Sequence, residues 1–117
     1  MNRWTSTAAT ILALAVILGA FGAHGLELSD RYREIYEKAV FYHFIHGLGI
    51  LLVAQARLSK LNLICGLFTM GIIFFSGSLY LLAISQLGWL GAITPIGGLS
   101  FISAWIILAV SKSNQRF

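Results

Sequence analysis

The fold is decided by one stretch, Leu61 to Ser111: LNLICGLFTMGIIFFSGSLYLLAISQLGWLGAITPIGGLSFISAWIILAVS. It contains no Lys, Arg, Asp or Glu. A helix of about 20 apolar residues crosses a hydrocarbon core roughly 30 Å thick, so this run is too long for one span and suits two. The break is legible. Ser85-Gln86-Leu87-Gly88 disfavours a continuous helix, and Thr94-Pro95 reads as an N-cap with proline in the first turn.

Two further spans lie upstream. Trp4 to Leu26 carries no formal charge, and Ala39 to Ala56 forms a shorter apolar run. The expected architecture is an all-α integral membrane protein, a bundle of four transmembrane helices near 5–23, 39–57, 62–84 and 94–111 in a single membrane domain. Dense Leu, Ile and Ala without strict alternation argues against barrel strands. The first apolar run exceeds the roughly 7–15 residues of a signal-peptide core and is read as a retained span.

The rest of the composition agrees. Of 117 residues, 58% are hydrophobic and 10% charged, against about 45–50% and 25% in soluble domains. That excludes an ordinary soluble enzyme, a disordered chain and a disulfide scaffold, since Cys65 is alone. The net charge of +4 is scattered between apolar runs, so no nucleic-acid partner is expected. Arg3, Arg57, Lys60, Lys112 and Arg116 fall on one side of the spans; Arg31, Arg33 and Lys38 fall on the other. This bias predicts a multi-pass protein of the cell (inner, cytoplasmic) membrane with both termini cytoplasmic and the charged 24–38 loop outward. In that loop Ser29 or Asp30 would start a helix, with Arg33/Glu37 and Glu34/Lys38 at ion-pair spacing.

Ionisable groups are costly in hydrocarbon, so the three histidines draw the chemical question. His43 and His46 share one face of the second span with Tyr36, Gly47 and Ile50, and His24 ends the first. With a third histidine such a pair can hold a metal. Two imidazoles without a third helical ligand fit hydrogen bonding between helices better, and neither metal nor cofactor is expected. Ser76 and Tyr80 lie four apart on the third span and are the natural polar partners. Trp105 falls well inside the fourth, where its indole N–H needs an acceptor. Ala15, Gly19 and Gly22 on the first helix, Gly47 on the second, and Gly97 and Ala104 on the fourth form small-residue stripes for close helix packing. No span contains Asp or Glu, and phosphate-loop, zinc-protease, redox Cys-x-x-Cys and nucleophile-elbow motifs are absent from the sequence.

Gly19-Ala-Phe-Gly-Ala-His-Gly-Leu26, the Tyr36 to His46 run, Phe75-Ser-Gly-Ser-Leu-Tyr80 and Thr94-Pro-Ile-Gly-Gly98 together resemble the family called domain of unknown function 423. That family comprises small bacterial membrane proteins and is similar to a eukaryotic group, transmembrane protein 256. The resemblance implies a four-helix membrane fold and no activity.

The expected role is therefore a non-enzymatic structural or accessory bundle in the lipid bilayer, self-associating or bound to another membrane protein. The alternative is a small transporter or channel whose polar path is lined by His24, His43, His46, Ser76 and Tyr80.

Overall fold

The computed structural model describes residues 2–112. These residues form four helices long and apolar enough to cross a membrane: α1 (Arg3–His24), α2 (Asp30–Ala54), α3 (Leu61–Ser85) and α4 (Gly88–Val110). The all-α, four-span class read from composition is the class observed. Arg116 lies outside the described residues.

Polar residues at the helix ends fix how α1 and α2 meet. The Asn2 side chain accepts from the Thr5 N–H at 3.0 Å, capping α1, while its amide donates to Ala54 O at 2.9 Å, at the end of α2. Gln55 donates to Thr5 Oγ1 alongside. At the other end Gly25 returns its N–H to Phe21 O, closing α1. The guanidinium of Arg33 reaches back to Gly22 O at 3.1 Å and Leu26 O at 2.9 Å. Carbonyls at a helix C-terminus have no partner within the helix, and a planar cation with several donors satisfies two at once. Arg33, read from spacing as a partner for Glu37, thus serves the preceding helix.

α3 is not uniform. α-Helical over Leu61–Gly71, it passes through a π turn at Ile72–Ser76 and resumes as α over Gly77–Ser85. Gln86 then adopts φ 62°, the one positive φ among the described residues, and its N–H closes the helix on Leu82 O. α4 opens with the 3-10 turn Gly88–Ala92 and is α-helical over Thr94–Val110. Thr94 is not the N-cap expected from Thr94-Pro95. Ile93, after the 3-10 turn, is the N-cap and its carbonyl accepts from the Ile96 N–H, while the Thr94 hydroxyl bonds Ser78 Oγ on α3 at 2.6 Å.

The bundle is flattened, 56 × 26 × 17 Å. α1 packs chiefly on α2, and α4 on α3. Phe68, Ile50, Ile64 and Cys65 are fully buried where α2, α3 and α4 meet. Large apolar side chains such as Leu52, Ile73, Leu99 and Val110 cover the outside. Lipid is as apolar as leucine, so close packing rather than burial from water must hold the helices together. Small residues provide it. The Tyr36 ring lies where a Cβ on Gly22 would approach its Cδ1 to 2.7 Å, and a Cβ on Gly47 would meet Leu12 at 2.9 Å. Ala8 and Ala15 are completely buried, and Gly19 faces Val40 of α2. On α4, Gly97 lies against the backbone of Phe74 and Phe75, Ser100 donates to Leu67 O at 2.6 Å, and Ala104 is fully buried. Both small-residue stripes therefore join helices of one chain, and the α1 stripe is not left free for a second copy.

Candidate functional site

His43 and His46 lie one turn apart on the buried face of α2, each only 4% exposed, and each points to a different neighbour. His43 Nε2 is 2.8 Å from Ile11 O of α1, and its Nδ1 is 2.8 Å from the Tyr80 hydroxyl of α3. A carbonyl can only accept, so Nε2 carries the proton and Tyr80 donates into Nδ1. One imidazole thus ties α1 to α3 through α2. His46 has the opposite tautomer. Its Nδ1 donates to Tyr42 O at 2.8 Å, four residues back on α2, and its Nε2 accepts from the Trp105 indole of α4 at 3.1 Å. An indole is a donor only, so this bond exists only with a lone pair on Nε2. Both rings have both nitrogens satisfied as neutral imidazoles. This suits a low-dielectric interior, where an unpaired polar group is costly.

Aromatic rings surround the second histidine. The His46 ring stacks on Phe101 with centroids 3.6 Å apart and planes 9° from parallel, and Phe68 packs edge-on against Trp105 at 4.7 Å. The Tyr36 ring meets Tyr80 edge-on at 5.2 Å, and the Tyr36 hydroxyl bonds Leu18 O of α1. Tyr36 therefore fills the space between α1 and α3 on the side of His43 toward the charged loop.

The other residues singled out from the sequence do not join this network. His24 is exposed at the end of α1, because Tyr36 and Arg33 occupy the inner face there. Ser76 is fully buried in the π turn, and its hydroxyl has no protein partner. The π turn that holds it packs against both α2 and α4. Of the five residues proposed as a polar path, only His43 and Tyr80 are joined by a hydrogen bond, and His46 bonds elsewhere, to Tyr42 O and Trp105. Among the described residues no three His, Cys, Asp or Glu side chains gather into a ligand set.

Sequence reasoning did not single out Tyr42 or Phe101 as the surroundings of His46. The spacing of Tyr42 and His46, i and i+4, was the available signal for the first; nothing in the sequence pairs Phe101 with either. It also missed a furrow between α1 and α3. This opening of about 670 Å³ is lined by Arg3, Ser6, Thr10, Leu14 and Ile73 among others, with His43 and Tyr80 at its inner end.

Comparison with known proteins places the chain in a family. The model of the family described as "Protein of unknown function (DUF423)" matches residues 18–98. A UPF0382 membrane protein of Staphylococcus haemolyticus is 50% identical over 103 residues, covering 84% of each chain. One from Staphylococcus epidermidis is 52% identical with the same coverage. The UPF0382 membrane protein YwdK of Bacillus subtilis is 47% identical, covering 84% of this chain and 85% of its own. No solved structure matches. The chain belongs to the DUF423 family of membrane proteins.

Proposed function

From that membership and the state of the histidines, we propose that the protein is a non-catalytic accessory bundle that works by associating, with itself or with another membrane protein. One observation carries this reading. The imidazoles, the groups best suited to chemistry or ion passage, have both ring nitrogens engaged in bonds between and within helices. A transport path would need such groups aligned along a continuous opening, whereas His46 is enclosed by Phe101, Phe68 and Trp105. Cross-linking the tagged full chain in native membranes should give one discrete product, a homo-oligomer or a pair with one membrane protein. A chain that stays monomeric at every cross-linker concentration would overturn the reading.

The same proposal places both termini in the cytoplasm. Arg3, Arg57, Lys60 and Lys112 cluster at the end of the bundle that holds the N-terminus, and this supports it. A cysteine at Ser29, in the exposed turn before α2, should react with an impermeant maleimide added to intact cells, and one at Ser59 should not. Labelling of Ser59→Cys alone would invert the topology.

A further inference from the structure

We propose that the furrow between α1 and α3 binds one anionic phospholipid, with its headgroup at Arg3 and one acyl chain running inward to His43 and Tyr80. Its volume, about 670 Å³, falls within the 300–1,000 Å³ range of small-ligand sites. Its length is more informative. From Arg3 to Leu14 the α1 wall rises roughly 16 Å at 1.5 Å per residue, about half of a hydrocarbon core of roughly 30 Å. The furrow ends there because Tyr36 bridges Leu18 of α1 and Tyr80 of α3. A partner's transmembrane helix would need a groove through the full depth, whereas an acyl chain of one leaflet needs half of it.

The lining is graded in the same direction. Arg3, Ser6, Thr7 and Thr10 lie toward the outer end, and Leu14, Ile72 and Ile73 toward the inner. Thr7 and Thr10 already donate to the carbonyls of Arg3 and Ser6, so among the described residues the donors this end offers a phosphate are the Arg3 guanidinium and the Ser6 hydroxyl. Charge complementarity selects an anionic headgroup. All four acidic residues lie between 27 and 37 at the opposite end of the bundle, while Arg57, Lys60 and Lys112 share the end that bears Arg3. Basic pockets between transmembrane helices bind such headgroups, and each nearby basic residue contributes to that affinity. The site goes beyond the accessory role and stands whether or not the bundle has a protein partner.

The full chain in detergent, titrated with phosphatidylglycerol or phosphatidylcholine of identical acyl chains and followed by native mass spectrometry, tests the assignment. The wild type should hold one phosphatidylglycerol at concentrations where phosphatidylcholine has dissociated. Arg3→Gln should weaken phosphatidylglycerol binding about five-fold, the contribution of one basic residue near a charged headgroup. Lys60→Gln, outside the furrow lining, should weaken it less than Arg3→Gln. Leu14→Trp and Ile73→Trp, filling the furrow from opposite walls, should displace both lipids. Equal binding of the two lipids by the wild type, an equal loss in Lys60→Gln and Arg3→Gln, or retention of lipid by both tryptophan variants would overturn it. So would a dimer that Leu14→Trp dissociates, which would make a second copy the occupant.

Discussion

Replacing Gly97 with alanine should destabilise the bundle by about 1–3 kcal/mol, the usual cost of overpacking a close-packed interior, although alanine is the better helix former by about 1 kcal/mol. A Cβ built on Gly97 would lie 2.7 Å from Phe75 Cβ and 2.8 Å from the carbonyl carbon of Phe74, and nearer still to Phe75 N. These are mostly backbone atoms of α3, so no rotamer change can clear them and the helices must separate. Separation would weaken the Ser100–Leu67 bond and the Thr94–Ser78 bond on either side. Gly66 supplies the control, because nothing lies within 4 Å of its added Cβ. Gly66→Ala should melt no lower than wild type in detergent. Gly97→Ala melting with the wild type would mean that α4 does not press on the π turn of α3.

His46→Ala should cost about 3 kcal/mol, more than His43→Ala at about 1–2 kcal/mol. Interhelical hydrogen bonds in membranes average about 0.6 kcal/mol and reach about 1.7, so lost bonds alone cannot separate the two. Packing does. The His46 ring is stacked between Phe101 and its aromatic neighbours, and its removal adds a cavity of the kind that costs about 2–5 kcal/mol in large-to-small substitutions. It also leaves the Trp105 N–H facing hydrocarbon without an acceptor. His43 borders the open furrow, where adjacent chains can fill the space it vacates. His46→Phe should keep the stacking and lose only the Trp105 bond, and adding Trp105→Phe should then recover part of that loss. Unfolding in detergent with increasing denaturing surfactant measures all four. A larger loss for His43→Ala than for His46→Ala would show that hydrogen bonding outweighs packing at this site.

The sequence by itself determined the class of this protein. A run of residues without formal charge from Leu61 to Ser111 cannot dissolve, and in lipid every peptide group must bond within its own helix, so length and breaks alone set four spans. The break at Ser85-Gln86-Leu87-Gly88 was equally local, since the left-handed Gln86 and the Ser85 hydroxyl, which accepts from the Leu87 N–H, act over one turn. Periodicity likewise put His43 and His46 on one face with Tyr36, Gly47 and Ile50. Which atoms those imidazoles meet was settled only when α1, α3 and α4 came together, because Ile11, Tyr80 and Trp105 are 32 to 59 residues away in sequence. Arg33 shows the same limit: its spacing to Glu37 is a local fact, but the end of α1 offers it fixed carbonyls. Glycines divide in the same way, Gly66 open and Gly97 against backbone, though both read as small residues in an apolar helix. The furrow has no sequence signature at all, because it is the space left where α1 and α3 both lean on α2 and Tyr36 closes only one half of the gap. Local bonding rules fix helices one at a time, whereas partners and voids depend on how separate helices are placed, and that is a property of tertiary packing.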